Sequence, residues 1–251
     1  MTHAIPAATV IIVRDGPVGH AVLMIERHSQ LAFAGGAAVF PGGRVDEDDR
    51  RIAAGTAPPD IDPEDAAARV AAIRESLEEA GATIGISGME ADTAREWRGA
   101  LHAGIPFSSL LAQGGAMLDL ATLTPFARWR PDAALKRIFD TRFYLARAGV
   151  EMGEPLEGDG HEAVRAFWVS PAEMLARAEE GRAHVIFPTR RNLERLAAHQ
   201  GFAALRAHAL RTPITTITSR VEQRDGEDWL TIPEGLGYPV TAERLATARR
   251  G

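Results

Sequence analysis

The sequence of 251 residues contains no cysteine. This absence excludes disulfide bonds, zinc sites built from thiolates, iron–sulfur clusters and a cysteine nucleophile. Lysine is almost absent as well, since Lys136 is the single lysine of the chain. A P-loop needs a lysine after a glycine-rich loop and a Schiff-base enzyme needs a buried one, whereas no glycine-rich loop precedes Lys136. The sequence favours neither class, and we expect Lys136 to be a solvated residue at a strand end.

Basic residues are fewer than acidic ones. The chain has 28 basic and 34 acidic side chains, which give a formal net charge of -6. Proteins that bind nucleic acids neutralise phosphates with a basic surface, so we expect no nucleic-acid partner. The apolar residues 7–13 are too few to cross a membrane and lack the pattern of a signal peptide. We therefore expect a cytoplasmic protein that does not contact membranes. No long linker or internal repeat divides the chain, which predicts one domain over residues 1–251.

The hydrophobic pattern predicts an α/β chain that opens with a hairpin. Apolar and β-branched runs predict strands over residues 7–13, 20–27, 123–129, 137–146 and 163–169. Helical spacing and capping signals predict helices over residues 64–80, 90–101, 109–120, 171–180 and 189–199. Residues 53–63, rich in alanine, glycine and proline, predict a surface excursion. After Thr212 the chain is predicted to be strand-like and then irregular.

The predicted helix over 64–80 carries three glutamates on one face. Glu75, Glu78 and Glu79 fall within an arc of about 100°, opposite an apolar stripe that includes Ile73 and Leu77. The charged and solvated side of an ordinary amphipathic helix explains such an arc as well. However, like charges at these spacings repel one another, and a hard divalent cation with oxygen ligands would remove that repulsion. The glycine-rich residues 33–45 could let a phosphate approach the backbone beside such a cation.

The segment Arg74 to Gly81, together with Phe40-Pro41-Gly42-Gly43, resembles the Nudix hydrolases, whose box is G-x5-E-x7-R-E-U-x-E-E-x-G-U with U an aliphatic residue. The matching positions are Gly43, Arg74, Glu75, Glu78, Glu79 and Gly81. The resemblance implies an α/β/α sandwich around a mixed sheet, with a helical insertion over about 88–122 and a C-terminal extension over about 200–251. It also implies metal-dependent hydrolysis of a nucleoside diphosphate derivative.

The chain departs from the box between its two conserved halves. Gly43 and Arg74 are separated by 17 more residues than in the box, which places an insertion at about 50–66. The first glutamate of the box corresponds to Asp49 when counted from Gly43 and to Ala66 when counted back from Arg74. Both alignments stay open at this point.

The resemblance assigns roles to individual residues. Glu75, Glu78 and Glu79 would hold Mg²⁺ or Mn²⁺, and Arg74 would orient one of the box carboxylates. The residues expected to contact the substrate are Gly42, Gly43, Arg27 and Arg142. A general base or extra ligand is expected just before the strand that contains Trp168, where Glu162 is the favoured candidate and Asp159 and His161 are alternatives.

One branch of the family, the peroxisomal-type coenzyme A diphosphatases, is similar in its long insertion and in the segments 139–144 and 187–189. Its coenzyme A signature matches at Arg27, Gly36 and residues 40–43, and differs at His28 and Ala32. Coenzyme A or an acyl-coenzyme A is therefore the expected substrate. The alternatives are ADP-ribose or NADH-like dinucleotides, and a ligand-binding regulator that has lost catalysis. A homodimer is expected only because symmetric dimers are the commonest assemblies among soluble oligomers.

Overall fold

One mixed sheet of eight strands lies between two layers of helices in the computed structural model, which describes residues 4–28, 30, 35–131, 138–149 and 163–248. The first nine strands are β1 (Ile5–Asp15), β2 (His20–Arg27), β3 (Ala38–Val39), β4 (Gly42–Arg44), β5 (Ile86–Ser87), β6 (Met117–Leu118), β7 (Thr124–Trp129), β8 (Phe139–Arg147) and β9 (Ala163–Val169). The last four are β10 (Thr216–Ile217), β11 (Arg220–Arg224), β12 (Glu227–Thr231) and β13 (Ala242–Arg244). The helices are α1 (Glu47–Thr56), α2 (Pro63–Ala80), α3 (Ala91–His102), α4 (Phe107–Gly114), α5 (Pro171–Glu179), α6 (Phe187–Ala197), α7 (Gly201–Arg211) and α8 (Leu245–Ala248).

The main sheet runs in the order β10, β7, β8, β1, β2, β3, while β4 pairs with β1 and β9 pairs with β2. The pairs β1 with β8 and β10 with β7 are parallel, and the other pairs in this sheet are antiparallel. The strands β5 and β6 form a separate pair, and β11 to β13 form a small antiparallel sheet. This architecture confirms the predicted α/β class and the opening hairpin.

Strand β1 is buried on both faces, so its alternate side chains serve two cores. Val10 and Ile12 pack with Ile73 and Leu77 of α2 on one face. Ile11 and Val13 pack on the other face, where α6 and α7 contribute apolar side chains. The sheet is therefore a central layer with helices on each side, and α2 covers one face of it.

The long helix begins and ends where local signals predict. The Asp62 side chain accepts hydrogen bonds from the backbone N–H groups of Glu64 and Asp65, at 3.1 and 3.2 Å. Gly81 ends the helix in the left-handed conformation, with φ of 65°. These caps fix the register in which the glutamates of α2 are presented.

Two predictions from local pattern were wrong. Part of the expected surface excursion is helix α1, because the backbone N–H of Asp46 donates to the Asp49 carboxylate at 2.8 Å and Ile52 is buried against the core that contains α2. The helix expected over 109–120 ends at Gly114, since Gly115 adopts a φ of 62°. The chain then forms β6 and a 3₁₀ turn over Leu120–Thr122.

The C-terminal part contains helix α7, for which no element was predicted, and the small sheet of β11 to β13. Leu205 and Ala209 are the buried residues of α7, and their spacing of four positions is too short a pattern to have indicated a helix. Lys136 lies outside the described residues. None of the described helices is long and apolar enough to cross a membrane.

Candidate active site

The last two turns of α2 hold a network of charged side chains around Arg74. Its Nε and Nη2 atoms donate to the two carboxylate oxygens of Asp49, at 3.0 and 2.9 Å. Its Nη1 atom donates to Glu75 Oε1 at 2.9 Å and to Glu78 Oε2 at 3.3 Å. Nη2 also donates to the carbonyl oxygen of Arg44, at 3.0 Å. One guanidinium thus ties α1, α2 and β4 together.

The position of Asp49 bears on the alignment of the box. Asp49 is fully buried in the first turn of α1 and meets Arg74 through both of its oxygens. Ala66 is also buried, but it lies in the first turns of α2 and carries no carboxylate. The structure therefore brings Asp49, the counterpart counted from Gly43, to the charged network around Arg74, whereas Ala66 offers no carboxylate.

Two consecutive glycines lie directly against the glutamates. The backbone N–H of Gly42 donates to Glu79 Oε2 at 2.8 Å. A Cβ atom at Gly43 would lie 2.2 Å from Glu75 Oε1, far inside van der Waals contact. Glycine at position 43 is therefore required for the Glu75 carboxylate to occupy its place.

The glutamates differ in their exposure. Glu79 is only 3% exposed, while the side chains of Glu75 and Glu78 are 15% and 27% exposed. A freely solvated helix face, the alternative explanation for the arc of glutamates, does not describe these side chains. The carboxylates of Glu75 and Glu79 are instead partly buried between α2 and strand β4.

The two arginines expected to bind substrate lie in different places. Arg27, at the end of β2, has its Nη1 atom 3.7 Å from Glu79 Oε1. The Nε atom of Arg142 lies 3.8 Å from Asp65 Oδ1, at the start of α2. Because a helix rises about 1.5 Å per residue, Asp65 and Glu75 are separated by roughly 15 Å along α2. The structure brings Arg27 to the carboxylates and does not bring Arg142 there.

Helix α3 contributes two residues that the sequence reasoning missed. Arg98 donates from Nε to the carbonyl oxygen of Glu78 at 2.9 Å and from Nη2 to that of Glu79 at 3.2 Å. His102 Nδ1 lies 3.8 Å from Glu78 Oε1. These contacts join residues about 20 positions apart through tertiary packing alone, so no spacing in the sequence could have indicated them.

The expected base Glu162 lies outside the described residues, and so do its alternatives Asp159 and His161. Trp168, which follows them, lies on β9, and β9 pairs with β2 from Val22 to Arg27. Strand β9 therefore begins beside the end of β2 that carries Arg27.

Burial has the largest effect on the pKa values of Glu75 and Arg74. Burial, with a further contribution from the Glu78 charge, raises the pKa of Glu75 to about 7 against the opposing effect of Arg74. Burial disfavours the charge of Arg74, but the adjacent Glu75 and Asp49 carboxylates raise its pKa nonetheless. A divalent cation near Glu75 would supply positive charge that Arg74 alone does not provide.

Within the described ranges, no three histidine, aspartate or glutamate side chains are grouped as a ready metal-ligand set. The donor chemistry nevertheless fits Mg²⁺ or Mn²⁺, which prefer carboxylate oxygens. Glu75 and Glu78 already converge on one cationic nitrogen, Arg74 Nη1. These side chains, with Glu79, are the residues that could hold such an ion.

No protein-family model matches the chain. A solved Nudix hydrolase from Alicyclobacillus acidocaldarius is similar over 82% of this chain and 97% of its own length, with 28% identity and a TM-score of 0.72. A MutT Nudix hydrolase from Burkholderia pseudomallei matches 76% of this chain and 97% of its own, with 20% identity and a TM-score of 0.42. The Nudix domain of Shewanella oneidensis NrtR, solved with ADP-ribose, matches 77% of this chain and 86% of its own length, with 12% identity and a TM-score of 0.44. Among these three structures only that from Alicyclobacillus has a TM-score above 0.5. It supports the Nudix fold and a hydrolase of that family.

Proposed function

We propose that this chain, a Nudix-type hydrolase by its fold, cleaves the diphosphate linkage of a coenzyme A or acyl-coenzyme A type substrate. The observation that carries this proposal is the contact between the Gly42-Gly43 backbone and the carboxylates of Glu79 and Glu75. Carboxylates that can hold a divalent cation lie there against two consecutive glycines of strand β4. A diphosphate needs both, a cation to neutralise its charge and backbone that it can approach closely.

Hydrolysis of a diphosphate depends on positioning and neutralisation of charge more than on covalent catalysis. Glu75, Glu78 and Glu79 would hold Mg²⁺ or Mn²⁺, which when bound polarises the phosphoryl oxygens and makes a bound water more acidic. Arg74 positions Glu75 and Glu78 through Nη1, while Asp49 holds the guanidinium in place.

Arg27 supports the choice of substrate class. It matches the first arginine of the coenzyme A signature, and its guanidinium lies 3.7 Å from Glu79. An arginine at that distance can donate two parallel hydrogen bonds to a phosphate held beside the carboxylates. Glu162 is proposed as the base that accepts a proton from the attacking water.

The test is a product analysis by mass spectrometry. The protein is incubated with coenzyme A, an acyl-coenzyme A, ADP-ribose, NADH and nucleoside triphosphates, each with Mg²⁺, with Mn²⁺ and with a chelator. Metal-dependent release of adenosine 3′,5′-bisphosphate and a phosphopantetheine product is expected. Release of AMP from ADP-ribose or NADH alone would replace coenzyme A by a dinucleotide substrate.

A second comparison separates an enzyme from a ligand-binding regulator. Glu78→Gln and Glu79→Gln should abolish turnover, because they remove charge from the proposed cation site. Glu96→Gln, at an exposed position of α3, should leave turnover unchanged. If no substrate is turned over by the parent protein while ligand binding persists in the glutamine variants, the chain is a binder and the proposed activity is wrong.

A further inference from the structure

A second cleft lies on the face of the main sheet opposite to α2. It has a cavity volume of about 240 Å³ and lies between strands β2, β3 and β9, helix α5 and the segment that follows α5. Glu26, Ala38 and Phe167 come from the strands, and Arg177 comes from α5. The cleft is distinct from the carboxylates of α2, since β2 separates them.

The cleft and the carboxylates meet at the end of β2. Glu26 and Arg27 are consecutive, so their side chains point to opposite faces of the sheet. Arg27 reaches Glu79, whereas Glu26 accepts a hydrogen bond from Arg165 Nε at 2.8 Å on the cleft side. Gly36 lines the cleft and its backbone N–H donates to the carbonyl oxygen of Arg27 at 3.1 Å. The two places are therefore connected through consecutive residues of β2, on opposite faces of the sheet.

The size of the cleft limits what it can take. Sites for whole small molecules measure about 300–1,000 Å³. The cleft is smaller, at about 240 Å³. It therefore suits one end of a substrate whose scissile linkage lies elsewhere.

The chemistry of the cleft favours an anion. Three arginines line it, Arg165, Arg177 and Arg182. They pair with Glu26, Glu173 and Glu180 respectively, and the glutamate side chains are 37%, 53% and 57% exposed. Ion pairs with such exposed partners contribute little to stability, so a bound anion could displace the glutamates at small cost.

One of these arginines lies over an aromatic ring that lines the cleft. The guanidinium carbon of Arg165 lies 5.0 Å from the centre of the Phe167 ring. Met174, which is 1% exposed, packs beneath the same cleft. Stacking on the ring leaves the fork of N–H donors of Arg165 available to a phosphate.

We propose that this cleft binds a phosphate group of the substrate other than the diphosphate that is cleaved. The inference rests on the proposed function for its connection to catalysis, but binding of a phosphorylated nucleoside to the cleft can be measured without turnover. A phosphate on the ribose of the nucleoside moiety is the group that would reach the cleft when the diphosphate lies beside Arg27.

The binding test uses isothermal titration calorimetry of the full chain with adenosine 3′,5′-bisphosphate and with AMP, in the presence of a chelator. The bisphosphate should bind more tightly than AMP, and the double variant Arg177→Ala/Arg182→Ala should lose about tenfold in affinity for it. Arg206→Ala, an exposed arginine on α7, serves as the matched control and should bind as the parent protein does. Equal affinity of the parent and the double variant, or no binding by the parent protein, would overturn the inference.

The kinetic test compares coenzyme A with dephospho-coenzyme A, which lacks the ribose phosphate. The double variant should raise KM for coenzyme A by about tenfold and leave kcat and the KM for dephospho-coenzyme A unchanged. Equal KM changes for both substrates would contradict a phosphate site in the cleft while leaving the proposed hydrolysis intact. Failure of the parent protein to hydrolyse either substrate would contradict the proposed function, and calorimetry would then decide the cleft alone.

Discussion

Arg74 donates hydrogen bonds to both carboxylate oxygens of Asp49, at 3.0 and 2.9 Å. Asp49 lies 25 positions before Arg74 in the chain. The pair connects the first turn of α1 to the turn of α2 that presents Glu75. All of the inserted residues lie between these two side chains. The segment between them is not a surface loop, because it forms most of α1 and the first turns of α2 and buries Ile52, Ala53 and Ala66 in the core. The pair of Arg74 and Asp49 joins the two ends of this segment.

We expect Asp49→Asn to destabilise the protein by about 3 kcal/mol, because it leaves the buried guanidinium of Arg74 with less compensating charge. Turnover should fall as well, since Arg74 would be drawn toward Glu75. Urea denaturation and initial rates measure the two effects. Asp46→Asn is the control, because Asp46 lies 3.7 Å from Arg74 but its side chain is 66% exposed. Equal losses in both variants would show that the buried pair has no special role.

Gly43→Ala should reduce turnover by about 100-fold, since the added Cβ would lie 2.2 Å from Glu75 Oε1 and the carboxylate would have to move. The affinity for Mn²⁺, measured by calorimetry, should fall with it. Gly55→Ala in α1 is the control, because nothing lies within 4 Å of its added Cβ. A Gly43→Ala variant with parental turnover and metal affinity would exclude Glu75 from the cation site.

Arg98→Ala should raise the half-saturating concentration of Mg²⁺ several-fold, because the last turn of α2 loses the donors that fix the carbonyl groups of Glu78 and Glu79. Its stability should fall by only about 1 kcal/mol. The control is Arg95→Ala on the same helix, where the arginine is 63% exposed and pairs with Asp92. Identical metal titrations for the two variants would argue against a positioning role for Arg98.

Local signals predicted much of the fold. The caps at Asp62 and Gly81 and the apolar spacing of α2 are encoded within one helix, so they could be recognised without the rest of the chain. Helix α1 was missed because its capping contact joins Asp46 and Asp49 within an acidic run that is also typical of a loop. Its alanines and glycine weaken any apolar pattern.

The site could be predicted in part for the same reason. The motif with strict spacing contains Glu75, Glu78 and Glu79, so these residues could be predicted. Arg98 contacts α2 from another helix, and no periodicity in the sequence indicates that contact. Arg142 illustrates the opposite difficulty. A basic residue in a recognisable segment was expected near phosphates, yet strand pairing places it beside Asp65 at the far end of α2.

Gly237, in the C-terminal extension, lies close to His208 of α7 and to Arg195 of α6. Its φ is +78°, and an added Cβ would lie 2.7 Å from His208 Nε2 and 3.1 Å from Arg195 Nε. Gly237→Ala should therefore lose about 2 kcal/mol more stability than Gly235→Ala. Gly235 shares a φ of +78° but has nothing within 4 Å of its added Cβ, so it isolates the backbone cost. Equal urea midpoints for Gly237→Ala and Gly235→Ala would show that the neighbouring side chains move to accommodate the added methyl group at no cost in stability.

The same contact predicts how stability depends on pH. Burial, together with the nearby charge of Arg195 and the neighbouring His199, lowers the pKa of His208 to about 4 from its ordinary value of 6.5. Arg195 Nε donates to His208 Nε2 at 2.9 Å, so the neutral ring is the form that fits. The unfolded chain binds a proton at His208 below about pH 6.5 and the folded chain does not, so stability falls as the pH drops from about 6.5 to 4.

His208→Gln keeps an oxygen that can accept from Arg195 but removes the titrating group. Its stability at pH 7.5 should be close to that of the parent protein, and it should lose less stability than the parent on acidification to pH 4.5. Some loss should remain, because burial also lowers the pKa of His20 and His199. Urea midpoints at the two pH values measure the difference, and Gly235→Ala, which adds or removes no titratable group, should keep the parental dependence. If His208→Gln and the parent protein lose equal stability on acidification, protonation of His208 does not contribute to the loss of stability at low pH.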